Sequence, residues 1–223
     1  MNALSQSVSE VDGFNEDTLF ARIAEDILQT GYSINPAALP PTLTEALYRH
    51  SQLMSPSQFV SAGIGRADDY LKNDFVRTDE ICWITGESEA GTAWLHWCAE
   101  LQKYLNRRLF LGLFSFESHF AHYKAGDFYK RHVDAFKGES NRKLSVVVYL
   151  NSNWYTEDGG ELVIYQNWQE EKGIRVTPLM GTVVVFLSEE FPHEVLPAKR
   201  DRYSIAGWFR VNTSVAERVD PPQ

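Results

Sequence analysis

The pattern of hydrophobic residues changes character near the middle of the chain. In the first half, apolar side chains recur at helical spacing, which predicts helices from Asn15 to Gly31, after Thr42 and over 91–106. Thr42 and Glu45 are spaced as a capping box for the second of these helices. In the second half, short β-branched and aromatic runs are separated by turn residues, which is typical of strands. The predicted strands lie within 32–34, 109–123, 144–150, 161–165, 181–187 and 203–211.

Helices followed by strands predict one domain of mainly β structure, with a β-barrel or jelly-roll core and helices packed outside it. We expect the helical part to cover 14–106 and the β core to cover 107–211, within a single domain of 14–215. The ends, 1–13 and 216–223, are expected to be tails. Residues 60–78 mix glycine and aspartate with little periodicity, which indicates a lid or binding loop.

Composition and charge exclude several classes of protein. The 223 residues are 43% hydrophobic and 23% charged, which is typical of a globular domain. Thirty acidic against 21 basic residues give a net charge of -9, which disfavours nucleic acid as a partner. No apolar run approaches the roughly 20 residues of a membrane helix, and the first thirty residues lack a secretory pattern. We therefore expect a soluble cytoplasmic protein without a membrane partner, whose two cysteines, Cys82 and Cys98, are free thiols.

The candidate chemistry lies in His132-Val133-Asp134 and in His193, because hydrolase, zincin, Walker and Cys-x-x-Cys motifs are all absent. Two imidazoles and one carboxylate are the ligand set of non-haem Fe(II), which leaves open coordination positions. On a strand, His132 and Asp134 would point to the same face. His193 would join them from a turn after the 181–187 strand. The triplet alone is weak evidence, since two surface residues on a strand give the same pattern.

Arg202 makes the metal interpretation stronger. It opens the last predicted strand, and along that strand Arg202, Ser204, Ala206 and Trp208 share one face. An arginine that faces a barrel interior is costly unless it meets an anion, and its planar fork matches a carboxylate. Tyr149, at the end of another predicted strand, is placed to add a hydroxyl to the same anion. The residues therefore predict a dicarboxylate that chelates the metal through one end.

At these residues the chain resembles the 2-oxoglutarate- and Fe(II)-dependent dioxygenases, and among them bacterial relatives of the oxygen-sensing prolyl hydroxylases. The resemblance spans about 60–210 and rests on several short stretches. These are His122-Tyr123-Lys124, Tyr129-Lys130-Arg131-His132-Val133-Asp134, Val148-Tyr149-Leu150-Asn151, Gly159-Gly160-Glu161-Leu162, Phe191-Pro192-His193-Glu194-Val195 and Arg202-Tyr203-Ser204-Ile205 through Trp208, with a weaker match at Val76-Arg77-Thr78-Asp79.

The resemblance implies a double-stranded β-helix core (jelly-roll, cupin-like) and a role for each matched residue. The metal ligands are His132, Asp134 and His193. The residues around 2-oxoglutarate are Arg202, Tyr149, Tyr123, Leu162 and Trp208, and those on the substrate side are Tyr129, Arg131 and again Trp208. It further implies that 60–78 is a mobile substrate loop, that O2 is consumed and that ascorbate stimulates turnover. Ala206 stands where animal relatives carry a threonine.

The implied activity is prolyl 4-hydroxylation of a protein by a monomeric enzyme, with release of succinate and CO2. Among bacterial proteins, the resemblance points to elongation factor Tu as the type of target. Two alternatives stay open on the residues alone. The first is a 2-oxoglutarate oxygenase with a small-molecule substrate, and the second is a metal-binding sensor barrel without catalysis.

The charge of the chain is not uniform around the candidate motif. Between Lys124 and Lys143, six basic residues stand against three acidic ones. They are Lys124, Lys130, Arg131, Lys137, Arg142 and Lys143 against Asp127, Asp134 and Glu139. This segment is either a solvated basic face or the source of a field that gathers 2-oxoglutarate and an acidic substrate loop.

Overall fold

The computed structural model describes residues 16–62, 76–135 and 141–212. The α-helices in these ranges are α1 (Glu16–Thr30), α2 (Pro41–Leu53) and α3 (Glu89–Leu109). The strands are β1 (Tyr32–Asn35), β2 (Val60–Ser61), β3 (Glu80–Trp83), β4 (Leu113–Tyr123), β5 (Tyr129–His132), β6 (Arg142–Tyr149), β7 (Leu162–Ile164), β8 (Ile174–Val176), β9 (Val183–Leu187), β10 (His193–Val195) and β11 (Arg202–Val211). The predicted tails and most of the predicted 60–78 loop lie outside the described residues.

The strands form two antiparallel sheets, which confirms the predicted jelly-roll core. The larger sheet has the order β1-β9-β6-β11-β4-β3-β2, and the smaller has the order β5-β10-β7-β8. The two sheets share one buried cluster, to which the larger contributes Tyr149 and Phe186 and the smaller contributes Leu162 and Ile164. The two sheets therefore face each other across a common interior.

The helices pack on the other face of the larger sheet, as the sequence predicts. Ile23 of α1, Leu47 of α2 and Trp94 of α3 are buried in one cluster with Ile205 and Phe209 of β11. Because Ile205 and Phe209 face the helices, strand alternation turns Arg202, Ser204 and Trp208 toward the interior between the sheets. In the described ranges, no helix is both long and apolar enough to cross a membrane.

The start of α2 differs from the sequence prediction. The helix begins at Pro41, and no side chain caps it, so the predicted capping box of Thr42 and Glu45 is wrong. Proline at the first helical position needs no amide partner, and Glu45 instead pairs with Arg49 one turn later. The Thr44 hydroxyl bonds to the carbonyl of Pro40.

Candidate metal and cosubstrate site

The structure brings His132, Asp134 and His193 together at the edge of the smaller sheet. One ligand atom from each residue lies within 4.8 Å of the others. His132 and His193 are register partners on β5 and β10, so antiparallel pairing joins two residues that are distant in sequence. The Asp134 Oδ1 lies 3.6 Å from the His132 Nε2, and the Asp134 Oδ2 lies 3.6 Å from the His193 Nε2. The residues that the sequence predicted as ligands therefore converge on one point.

The local structure that carries two of these ligands was predicted wrongly. Strand β5 ends at His132, so Asp134 lies in a bend and does not share a strand face with it. His193 is the first residue of β10 and does not lie in a turn. Both differences come from β10, a three-residue strand whose pairing with β5 stops at His132. Pairing of this kind depends on the partner strand and leaves little local signal in the sequence.

Hydrogen bonds fix both imidazoles with Nε2 turned to the site. The Nδ1 atom of His132 lies 2.8 Å from the Lys130 carbonyl oxygen, and that of His193 lies 3.0 Å from the Phe191 carbonyl oxygen. A carbonyl only accepts hydrogen bonds, so the proton is on Nδ1 and the Nε2 lone pair is free to bind a metal.

The charge states of the ligands suit a divalent cation. Burial and the neighbouring His132 lower the pKa of His193 to about 4, so its imidazole is neutral at neutral pH. Burial alone would raise the pKa of Asp134, but the two histidines and the Ser145 hydroxyl hold it below its usual range. Two imidazoles and one carboxylate are the donor set that Fe(II) takes in oxygenases, so the residues fit that metal.

Tyr129 stacks directly on a metal ligand. Its ring centre lies 3.5 Å from that of His132, and the Arg77 guanidinium lies 4.3 Å from the centre of the same tyrosine ring. Arg77 is held by Asp79 at 2.6 Å, and burial raises the pKa of Tyr129 to about 12. In the sequence, Arg77 and Asp79 belong only to a weak family match, which assigns them no role. The described contacts make them the support of the Tyr129–His132 stack.

Arg202 and Tyr149 form a buried cradle for an anion. Arg202 is 1% exposed, its Nε donates to the Gly160 carbonyl at 2.9 Å, and its Nη1 donates to Ser204 at 3.2 Å. Within the described ranges, no carboxylate lies within ion-pair distance of this guanidinium. The buried Tyr149 Oη also has no hydrogen-bond partner there. Buried polar groups are normally satisfied, so these two incomplete groups fit the far carboxylate of a bound dicarboxylate.

The remaining predicted cosubstrate residues lie around this cradle. The Tyr123 ring centre lies 4.8 Å from the Arg202 guanidinium, and Leu162 is buried in the same interior cluster as Tyr149. Trp208 is the register partner of Ser145, and its buried Nε1 has no partner in the described ranges. All three side chains therefore face the interior that holds the metal ligands, and their individual roles stay predictions.

Arg131 has a different setting. Its Nη1 donates to the backbone carbonyls of Trp168 and Glu170, and its guanidinium lies 3.3 Å from the centre of the Tyr165 ring. Tyr165 in turn donates to Glu194, whose neighbour His193 points to the metal site. Alternation along β10 therefore places this group on the outer face of the smaller sheet. The contacts described for Arg131 join β5 to the segment 165–170 of the same chain. A substrate role for Arg131 stays a prediction.

Part of the predicted basic segment is neutralised by neighbouring strands. Lys124 pairs with Glu80 at 2.8 Å, and Arg142 pairs with Glu117 at 2.8 Å. Lys137 and Glu139 lie outside the described residues. These pairs weaken any field that gathers anions at the site, and the field itself stays a prediction.

Comparison with known proteins agrees with this geometry. Residues 118–210 match the family described as the 2OG-Fe(II) oxygenase superfamily. The structure is similar to that of a prolyl-4-hydroxylase from Pseudomonas putida, with 37% identity, a TM-score of 0.77 and coverage of 86% of this chain and 99% of that chain. It is also similar to a prolyl hydroxylase from Trichoplax adhaerens in complex with a peptide fragment of the hypoxia-inducible factor. There the identity is 25%, the TM-score 0.77 and the coverage 87% of this chain and 90% of that chain.

Curated relatives match over a shorter segment. Mouse prolyl hydroxylase EGLN3 is 34% identical over 86 residues, which are 38% of this chain and 35% of that protein. The hypoxia-inducible factor prolyl hydroxylase of Caenorhabditis elegans is 33% identical over 86 residues, which are 12% of its length. The matched segment thus spans about a third or less of these proteins.

Proposed function

The chain belongs to the 2OG-Fe(II) oxygenase superfamily, and on that premise we propose that it hydroxylates a prolyl residue of a protein substrate. In this reaction 2-oxoglutarate and O2 are consumed, and succinate and CO2 are released. The observation that carries the proposal is the buried Arg202 guanidinium beside the Tyr149 Oη, which has no hydrogen-bond partner among the described residues, in the same interior as three metal ligands. The prolyl hydroxylase names of its relatives support the choice of proline.

Each part of the site has a task in this reaction. The Nε2 atoms of His132 and His193 and the Asp134 carboxylate would hold Fe(II), which supplies the activation of O2 when bound. Arg202 and Tyr149 would bind the far carboxylate of 2-oxoglutarate and so orient this cosubstrate within the interior. Apolar neighbours such as Leu162 exclude water from this interior.

A row of aromatic side chains beside the metal site supports a prolyl substrate. Trp83, which is 48% exposed, contacts His119 with ring centres 5.2 Å apart. His119 contacts Trp208 at 5.5 Å, and Trp208 pairs in register with Ser145, which binds Asp134. Aromatic faces pack well against the apolar ring of proline. His119 and Trp208 are themselves buried, so Trp83 is the ring of this row that a prolyl residue would pack against, and the two buried rings connect it to the metal ligands.

The decisive experiment uses the intact protein with Fe(II), 2-oxoglutarate and a candidate protein substrate. Elongation factor Tu, the type of target that the family resemblance implies, is the first candidate. We expect succinate to form and mass spectrometry to find one added oxygen atom on a proline of the substrate. Asp134→Ala should abolish both signals. The control is Asp201→Ala, which removes a carboxylate that contacts His122 and is not a metal ligand. This variant should preserve both signals.

The same assay separates the proposal from its alternatives. Succinate formed with a small molecule and with no protein substrate would favour a small-molecule oxygenase. Metal binding without any succinate, across substrates, would favour a sensor barrel. We also propose that ascorbate raises the yield of succinate, which the same assay measures with and without it.

A further inference from the structure

Two buried hydroxyl groups connect the larger sheet to the metal-binding carboxylate. The Ser145 Oγ on β6 donates to Asp134 Oδ2 at 2.6 Å, and the Ser188 Oγ lies 2.9 Å from the Ser145 Oγ. Both serines are buried, with exposed fractions of 1% and 0%. We propose that Ser145, supported by Ser188, is a positioning residue that sets the orientation of Asp134 for metal binding. The inference rests on the metal site of the proposed function.

The direction of these hydrogen bonds follows from the groups involved. An ionised carboxylate only accepts hydrogen bonds, so the single hydroxyl proton of Ser145 goes to Asp134. The Ser145 oxygen must then accept from the hydroxyl of Ser188. The Ser188 backbone N–H donates to the Lys143 carbonyl at 3.1 Å, so this serine is itself fixed. The two hydroxyl groups therefore donate in sequence, Ser188 to Ser145 and Ser145 to the Asp134 carboxylate.

Asp134 needs such support because strand pairing does not supply it. Strand β5 ends at His132, and Asp134 lies in the bend beyond it. Ser145, by contrast, stands in a strand that is paired on both sides, with Trp208 and Phe186 as its register partners. A hydrogen bond from this rigid strand restricts the rotation of the carboxylate. It occupies one lone pair of Oδ2 and leaves Oδ1 available as a metal donor.

The test measures metal affinity rather than turnover. Mn(II) is titrated into the metal-free protein by calorimetry as a redox-stable probe of the site. We expect Ser145→Ala to raise the Kd for Mn(II) by about 10-fold or more, the usual effect of losing a hydrogen bond to a metal ligand. Ser145→Thr keeps the hydroxyl and should leave the Kd as in wild type, whereas Ser188→Ala should raise the Kd by about 3-fold.

Ser33 offers a matched control elsewhere in the fold. It is a buried serine on β1 whose Oγ donates to Asp26 Oδ2, also at 2.6 Å. Ser33→Ala therefore deletes the same kind of bond away from the metal, and the Kd for Mn(II) should not change. Thermal unfolding of each metal-free variant shows whether it is folded. If Ser145→Ala does not fold, the Kd for Mn(II) of Ser188→Ala is used in its place.

The possible outcomes separate the inference from the proposed function. A wild-type Kd in Ser145→Ala, or equal losses in Ser145→Ala and Ser145→Thr, would overturn the role of the hydroxyl. If Ser145→Ala does not fold, an unchanged Kd in Ser188→Ala overturns the inference. Absence of Mn(II) binding by the wild-type protein would overturn both the inference and the metal site of the proposed function.

Discussion

The guanidinium carbon of Arg202 lies 5.1 Å from the centre of the Tyr149 ring, and within the described ranges no carboxylate pairs with this guanidinium. Arg202 opens β11, and Tyr149 ends the neighbouring strand β6, where it pairs in register with Ser204. Two strand ends thus place a cation and a hydroxyl side by side in a dry interior. A buried cation is stable there only if an anion completes it, which supports the proposal that this pair recognises the far carboxylate of 2-oxoglutarate.

Replacing Arg202 with lysine should raise the KM for 2-oxoglutarate by roughly 10- to 100-fold, because one bond to a charged group is worth about 1.5–3 kcal/mol. Lysine keeps the charge but loses the planar fork that matches a carboxylate. Steady-state succinate production measures the effect. Arg175→Lys, an exposed arginine on β8, is the matched control and should leave the KM unchanged. An unchanged KM in Arg202→Lys would contradict the assigned role.

Tyr149→Phe should separate cosubstrate binding from stability. Since the Tyr149 Oη has no protein partner in the described ranges, its removal should change the free energy of unfolding by less than about 1 kcal/mol. The affinity for 2-oxoglutarate should nevertheless fall by about 10-fold. Tyr165→Phe is the opposite case, because that hydroxyl donates to Glu194 and its loss should destabilise the protein. Denaturant unfolding with and without 2-oxoglutarate measures both effects, and a destabilised Tyr149→Phe with normal affinity would refute this interpretation.

The sequence predicted which side chains of β11 face the interior better than it predicted the local structure around the metal ligands. Arg202 and Trp208 lie on a ten-residue strand, where alternation alone decides which side chains face inward. The position of Asp134 depends on where β5 stops pairing with β10, a three-residue strand that the sequence did not reveal. Long strands carry their own pattern, whereas short ones take their structure from their partners.

The support of Asp134 was also missed, although the sequence contains a signal for it. Ser145 interrupts the apolar run Leu144 to Val148, and a polar residue inside such a run needs a buried partner. The identity of that partner could not be read from the sequence, because it comes from another part of the chain. Arg131 shows the same limit, since the carbonyl groups that it binds belong to the 168–170 turn.

Gly160→Ala should weaken 2-oxoglutarate binding through Arg202. Gly160 has a φ of +72°, and an added Cβ would lie 2.9 Å from Ala198 Cβ and 3.1 Å from Arg202 Cδ. The Gly160 carbonyl also accepts the bond from Arg202 Nε, so a shift of this residue displaces the guanidinium. We expect the KM for 2-oxoglutarate to rise by about 10-fold, by loss of one good hydrogen bond to the charged group.

Gly126→Ala provides the control for this prediction. Gly126 also has a positive φ, of +93°, but an added Cβ would meet nothing within 4 Å. Both variants should lose about 1–2 kcal/mol of stability from the left-handed backbone. Only Gly160→Ala should change the KM. Equal KM values in the two variants would show that the close approach of Gly160 to Arg202 does not matter for binding.

His119 should make the stability of the protein depend on pH. Burial, followed by repulsion from Arg77, lowers the pKa of His119 to about 4 in the folded protein, against an ordinary value of 6.5. Between these values the unfolded chain binds a proton that the folded protein does not, so the free energy of unfolding falls as the pH falls. The contribution is fully present above pH 6.5, and about 3 kcal/mol of it is lost by pH 4.

The variant His119→Phe, in which an aromatic ring still lies between Trp83 and Trp208, tests this assignment. Between pH 6.5 and 4, the unfolding free energy of this variant should decline less steeply than that of wild type. The difference between the two slopes should correspond to about one bound proton. His96→Phe, which replaces an exposed histidine on α3, should leave the slope as in wild type. Denaturant unfolding of the metal-free protein across this pH range measures the slopes. A His119→Phe slope equal to that of wild type would show that another buried group is responsible for the loss of stability in acid.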